Sequence, residues 1–191
     1  MSRHEDALRA AVADLGEHEV PLGSNTGAYV RSCQRESWLG GTGWPWCRAA
    51  VLKWRKQGGD KPGDLSPGAW DALNRARKRG EALLPEQWRK VVPGDEVIWN
   101  IGSGHSSLVE KVTLLPSGDV VITSIDGNSA DSVRRCQRGL DQVRGFIAWP
   151  ENPGDKADRR PLVSVVGSES GTRKLTVGKA IVSLPKKEKV T

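Results

Sequence analysis

The sequence predicts an α+β fold: helices in the N-terminal half and an antiparallel sheet in the C-terminal half of a domain ending near Pro150. Two observations predict it. Apolar residues recur at helical spacing as far as Ala76, then alternate after Pro93-Gly94-Asp95. Turn-forming clusters, Gly102-Ser103-Gly104 and Pro116-Ser117-Gly118-Asp119, separate the alternating runs as hairpins require. Helices first and strands after is the pattern of an α+β domain rather than of βαβ units.

Taken in order, Leu8, Ala11, Val12 and Leu15 give a helix over residues 4–15, stopped by Gly16. Pro21 to Gly27 reads as an irregular loop. A short helix starts near Ala28 and carries Tyr29, Val30 and Cys33. Gly40-Gly41-Thr42-Gly43 is a flexible approach to Trp44-Pro45-Trp46-Cys47, and a helix opens at Cys47 with Ala49, Ala50, Val51 and Trp54, ending at Gly58-Gly59. Ser66-Pro67 has the form of an N-cap with Pro at the first helical position, opening a helix through Trp70, Leu73 and Ala76. The strands expected are Glu96–Ile101, with Val97, Trp99 and Ile101 on one face, then 105–115, Val120–Ile125 and Val143–Trp149. Residues 151–160 read as a linker. Residues 161–191 form a basic tail with two β-like stretches, Leu162–Val166 and Leu175–Leu184, too short to bury a core alone.

The 191 residues carry a formal charge of +6, and its placement is uneven. Residues 156–191 hold nine Lys/Arg and three Asp/Glu, whereas the first 155 residues hold 20 of each sign. The tail therefore suits an anionic partner, or serves solubility alone. No apolar run is long enough to cross a membrane, and the charged N-terminus lacks the apolar core of a secretion signal. Three cysteines, Cys33, Cys47 and Cys136, do not make a disulfide framework, and no CxxC pair points to zinc. A Cys33–Cys136 disulfide stays open, because sequence does not give their separation. Eight Trp against one Tyr and one Phe fit either a core or a groove for an amphipathic ligand.

Cys47 is the candidate nucleophile, since free N–H groups at a helix start favour a thiolate. The plainer reading is a buried small hydrophobe. His105, at a turn-to-strand junction, is the candidate base, where a rigid strand can hold an imidazole for proton transfer. Asp126, on the following strand, is the candidate orienting carboxylate, and Asn128, two residues on, can share that role. A turn at Asp126-Gly127-Asn128 is compatible with both.

These pieces resemble the CHAP family of cysteine amidohydrolases and peptidases that cleave peptidoglycan, within the wider NlpC/P60 and papain-like group. The matching segments run in family order over residues 5–150. They are Gly23–Gly27, Gly43-Trp44-Pro45-Trp46-Cys47-Arg48-Ala49-Ala50-Val51, Pro93–Val97, Gly104-His105-Ser106-Ser107-Leu108-Val109-Glu110, Ile125–Ser129 and Arg144–Ile147. The resemblance implies a papain-like fold, Cys47 as nucleophile, His105 as base and Asp126 at a position usually Glu, beside Asn128. Arg48 and Ser106-Ser107 depart from the family's usual small residue and Val-Gly. No Gln lies just upstream of Cys47 as a papain-like oxyanion donor, so the Cys47 N–H and a second, unnamed donor are expected. Asn25, Trp44, Trp46 and Trp99 are the expected substrate groove. The implied chemistry needs no metal or cofactor. The implied partner is bacterial peptidoglycan, with an anionic wall polymer as a second partner for the tail. Neither nucleic acid nor membrane insertion is expected, and the chain is expected to be monomeric. By resemblance to phage endolysins, it would stay in the host cytoplasm until released to the wall, or travel with a virion. The rival reading is a non-catalytic wall-binding module in which Trp38, Trp44, Trp46 and Trp99 grip glycan or stem peptide.

Overall fold

The computed structural model describes residues 2–38 and 40–150, together with the backbone of 172–177 and 180–185. It is a mixed helix and antiparallel-sheet structure. Helix α1 (Arg3–Ala13) begins with a capping box, in which Ser2 and Glu5 satisfy each other's backbone N–H groups. Next come α2 (Ala28–Gln34), α3 (Cys47–Gln57) and α4 (Ala69–Arg79). The strands are β1 (Ala82–Leu83), β2 (Glu96–Trp99), β3 (His105–Leu114), β4 (Val120–Ser129), β5 (Ser132–Gly139) and β6 (Val143–Ile147). They make one antiparallel sheet in the order β1-β6-β2-β3-β4-β5. No helix of the described residues is long and apolar enough to cross a membrane.

Helix α3 is the central helix. Eight of its residues, including Trp54 and Arg55, are buried, so both of its flanks are covered. Small residues let α1 come close on one side. Ala7 and Ala11 are fully buried against α3, alongside Val30 and Cys33 of α2. Leu108 and Ile125 of the sheet close this core from below. A second core gathers Trp88, Val97, Trp99, Val109, Ile122 and Phe146. Helix α4 lays Ala69, Ala72, Leu73 and Ala76 against Ile98 and Ile147.

Several expectations are corrected. Helix α4 starts at Ala69 with Gly68 as its N-cap, because the Ser66 hydroxyl bonds to Asp71 Oδ2 (2.8 Å) instead of capping. Strand β2 ends at Trp99, so Ile101 falls in a turn and is exposed rather than sharing the face of Val97 and Trp99. Strand β4 runs on through Asp126-Gly127-Asn128 to Ser129, so that segment is not a turn. Strand β5 was not expected at all. All three cysteines are free, which removes the Cys33–Cys136 disulfide. In the tail, Leu162–Val166 lies outside the described residues. The stretch over 175–184 is not one strand: it divides between β7 (Thr172–Val177) and β8 (Ala180–Pro185), which pair only with each other.

Candidate active site

The opening of α3 is held by a fully knitted loop. Trp46 is the N-cap residue and has no side-chain cap of its own. Its ring is buried, and its indole Nε1–H donates to Glu19 Oε1 at 2.8 Å. The other oxygen of this buried carboxylate accepts the Asn25 N–H, also at 2.8 Å. Gln34 Nε2 donates to the Trp44 carbonyl (2.6 Å), and the Gly43 N–H donates to the Asn25 carbonyl (3.0 Å). Strand β4 passes close beneath. A Cβ on Gly127 would lie 2.5 Å from Ala50 Cβ and 3.2 Å from the Trp46 ring, so only glycine lets strand and helix start approach this nearly.

Cys47 is the first residue of α3, and its side of the helix carries N–H groups that have no acceptor within the helix. The thiol faces the His105 imidazole and the backbone N–H groups of Ser106 and Arg48, all of which favour its ionised form. His105 opens β3. Gly104 before it has φ +105°, and a Cβ there would meet the Trp70 ring at 2.6 Å, so the turn onto the strand requires glycine. His105 Nε2 lies 3.0 Å from Asp126 Oδ2, leaving the other ring nitrogen for the thiol. Asp126 is fully buried and saturated: Ser124 Oγ donates to Oδ1 (2.6 Å) and an Arg138 guanidinium N–H to Oδ2 (2.7 Å).

Charge state follows from these contacts. Burial opposes ionisation of Cys47, but the His105 hydrogen bond, the imidazolium charge and the two backbone N–H groups prevail and lower its pKa. Burial likewise opposes the charged imidazole. The Asp126 bond, the Cys47 bond and the charges of both raise His105 to about 9. Burial of Asp126 is outweighed by His105, Ser124 and Arg138, which hold it at about 2. Each shift favours the charged form of its group: thiolate at Cys47, imidazolium at His105 and carboxylate at Asp126.

Comparison with protein-family models, with curated proteins and with solved structures found no match.

Of the residues singled out from the sequence, Cys47, His105 and Asp126 come together. Asn128 does not join them. Its φ of 57° turns it toward the loop at α3. Its amide lies 3.0 Å from Asn25 Oδ1, and in the orientation that satisfies its other neighbours it donates to Glu19 Oε1 and accepts the Trp46 N–H, each at 3.2 Å. Asn25 and Asn128 therefore shape the approach to Cys47 and not the imidazole. Trp46 and Trp99 are fully buried and cannot line a groove, because Trp46 anchors the loop and Trp99 donates to Ser107 Oγ (2.9 Å) within the core. Trp44 and Trp38, each 53 % exposed, remain on the surface. Reasoning from sequence missed Arg138, which also stacks over Trp99 at 5.0 Å. It missed Glu19 as well. Arg138 lies on the unpredicted β5, and nothing in its own neighbourhood marks it. Among the described residues, no group of three or more His, Cys, Asp and Glu side chains is placed to hold a metal ion.

Proposed function

We propose that this protein hydrolyses amide bonds of peptidoglycan through a Cys47 acyl-enzyme. The observation that carries the chemistry is the junction of a helix-start thiol with an imidazole braced 3.0 Å from a buried carboxylate. The substrate class rests on the six ordered segments that resemble the CHAP family, and with it the finer expectation of a papain-like, NlpC/P60 type of fold.

In the reaction, the Cys47 thiolate attacks the amide carbonyl carbon and a C–S bond forms. Negative charge moves to the carbonyl oxygen, and in this reading the Cys47 N–H, free at the start of α3, donates to it. The C–N bond then breaks as imidazolium His105 gives its proton to the leaving amine. This leaves a thioester and a neutral imidazole. His105 next takes a proton from water, whose oxygen attacks the thioester carbon. The C–S bond breaks, releasing the carboxylic acid product and restoring the thiolate–imidazolium pair. Asp126 keeps the imidazole in one tautomer and orientation and stabilises its charged form.

The test is incubation with purified cell walls of differing peptide chemistry, reading new amino groups and the masses of released fragments. Wild-type protein is expected to release amino groups and the Cys47→Ser variant none. Mass spectrometry assigns the bond, either the muramoyl–alanine amide or a peptide or cross-bridge bond. Absence of release by wild type on every wall would overturn the enzyme reading. The wall-binding alternative keeps only Trp38 and Trp44 of the four tryptophans it needed.

A further inference from the structure

We propose that Arg48, Glu96 and Ser106 form a buried clamp that positions the Cys47 thiol against the His105 imidazole. This rests on the cysteine–histidine reading above. Arg48 directly follows the nucleophile and Ser106 directly follows the base. Both bond to one atom: Arg48 Nε lies 3.0 Å from Glu96 Oε1, and Ser106 Oγ donates to the same oxygen at 2.6 Å. The remaining guanidinium nitrogens donate to the backbone carbonyls of Asp64 (3.4 Å) and Ser66, so the fork is held at both ends. All three side chains are essentially inaccessible.

The route from the clamp to the chemistry is short. Glu96 stands on β2, whose ladder pairs Ile98 with Ser106 and Trp99 with His105. Arg48 stands on α3, one residue inside its start. The Ser106 N–H is among the groups that face the Cys47 sulfur and favour its thiolate. Thus the Ser106 backbone faces the thiol while its side chain is tied to Glu96, and Glu96 is tied back to the residue beside the thiol. The loop of contacts closes through covalent bonds on both sides.

Stability alone is a weak reason for this arrangement. Taking two charges out of water offsets most of their attraction, and Glu96 Oε2 has no partner among the described residues. What the clamp supplies is direction. A guanidinium Nε–H and a hydroxyl converging on one oxygen fix the start of α3 against β3, where two apolar side chains would slide. The charges facing Cys47 are consistent with a geometric role. His105 faces it from β3, and Asp126 and Arg138 act on it through His105, whereas Arg48 and Glu96 neutralise each other.

The experiment is the pH dependence of Cys47 alkylation by iodoacetamide, read by peptide mass spectrometry so that Cys33 and Cys136 do not contribute. It is paired with kcat and KM on walls, and circular dichroism reports the fold. In Ser106→Ala and Glu96→Gln the alkylation profile is expected to move up by about one pH unit as the thiolate loses its fixed partner. Wall kcat is expected to fall about tenfold or more with KM little changed. The paired apolar variant R48M/E96L, which removes both buried charges at once, should still fold and show the same upward shift. Folded variants with unmoved profiles and unchanged kcat overturn the clamp, as does a lowered melting temperature with an unmoved profile. If Glu96→Gln does not fold, Ser106→Ala decides. Alkylation needs no wall substrate. A wild-type thiol that is reactive at low pH and shifts in the variants supports the clamp even if no wall is cleaved. An ordinary wild-type thiol overturns both readings.

Discussion

Asp126 reaches His105 diagonally: it stands directly opposite Ser107 in the β3–β4 ladder, yet its Oδ2 lies 3.0 Å from His105 Nε2. Two residues along a strand put His105 and Ser107 on the same face, and a diagonal neighbour across the pair is within reach of a long side chain. The carboxylate is therefore shared between the imidazole and Arg138 rather than given to one partner.

Asp126→Ala is expected to cut turnover by roughly 10²–10⁴-fold, since the imidazole loses both its orientation and its counter-charge. Asn128→Ala should behave differently. Its bonds serve the Trp46 loop, so the His105 titration should stay in place while KM rises or the melting temperature falls. NMR titration of His105 in the two variants, beside wall kinetics, checks this. A His105 pKa that drops as far in Asn128→Ala as in Asp126→Ala would contradict the assignment.

Activity should follow a bell in pH. The acid limb marks protonation of the thiolate, below the usual range for a free thiol because Cys47 is lowered. The alkaline limb marks loss of the imidazolium proton that the leaving amine needs, near 9. Removing the thiolate in Cys47→Ser takes away a charge and a bond that hold this proton, so His105 should titrate below 9 in that variant. An NMR pH titration of both proteins reads the difference, and identical titrations would refute the pair.

Asp126 also links folding to pH. Its folded pKa of about 2 lies below the ordinary 3.8, so the native state favours the carboxylate. The stabilisation is fully present above 3.8 and is lost as pH falls toward 2. Asp126→Asn lacks this dependence. The stability gap between wild type and variant, from denaturant unfolding, should therefore narrow as pH is lowered through this window.

Gly127→Ala should destabilise the fold by about 1–3 kcal/mol through overpacking, because its Cβ would press on Ala50 Cβ, which cannot rotate away. Adding Ala50→Gly should recover part of the loss. Thermal melts of the single and double variants test this, and simple additivity would show that the two positions do not meet.

The Cys47–His105–Asp126 cluster was legible in the sequence because each member sits in a local context with its own signature: a glycine-rich approach before a helix, a Gly-His junction after a turn, an acid that follows the alternating run Val120–Ile125. The partition of the tryptophans was not legible. Trp44 and Trp46 stand two residues apart in one apolar run, and the second is drawn inward by the distant Glu19 carboxylate and by core packing with Val30 and Ile125. Strand β5 was hidden for a related reason. It is the edge of the sheet, mostly solvent-facing, and its Arg134-Arg135-Cys136-Gln137-Arg138 run lacks apolar alternation. Arg48 and Glu96 lie 48 positions apart, and no local pattern pairs them.

The basic tail remains a separate expectation. A chain ending at Asp155 should keep its activity on small soluble muropeptides, since β7 and β8 add no strand to the six-stranded sheet. It should bind intact walls less well at low salt. That deficit should shrink as salt rises from 0.1 to 1 M and the screening length falls from about 10 to about 3 Å. Sedimentation with walls across this range is the measurement. Equal binding at every salt concentration would remove the anionic-anchor role.

The irregularity in the β3–β4 ladder between Val109 and Lys111 divides that hairpin into two zones with different freedom. On the catalytic side, from Ser107 opposite Asp126 to Val109 opposite Ser124, a slip of one residue would turn the carboxylate to the opposite face of the sheet. On the far side, nine strand residues (106–114) separate His105 from the turn over residues 116–119 and six (120–125) separate Asp126 from it, about 20 Å or more at the usual rise. That tip is where the chain can be lengthened, labelled or fused to a cargo without disturbing the site. Natural length variation should collect there as well, while the count of residues from His105 to the irregularity stays constant.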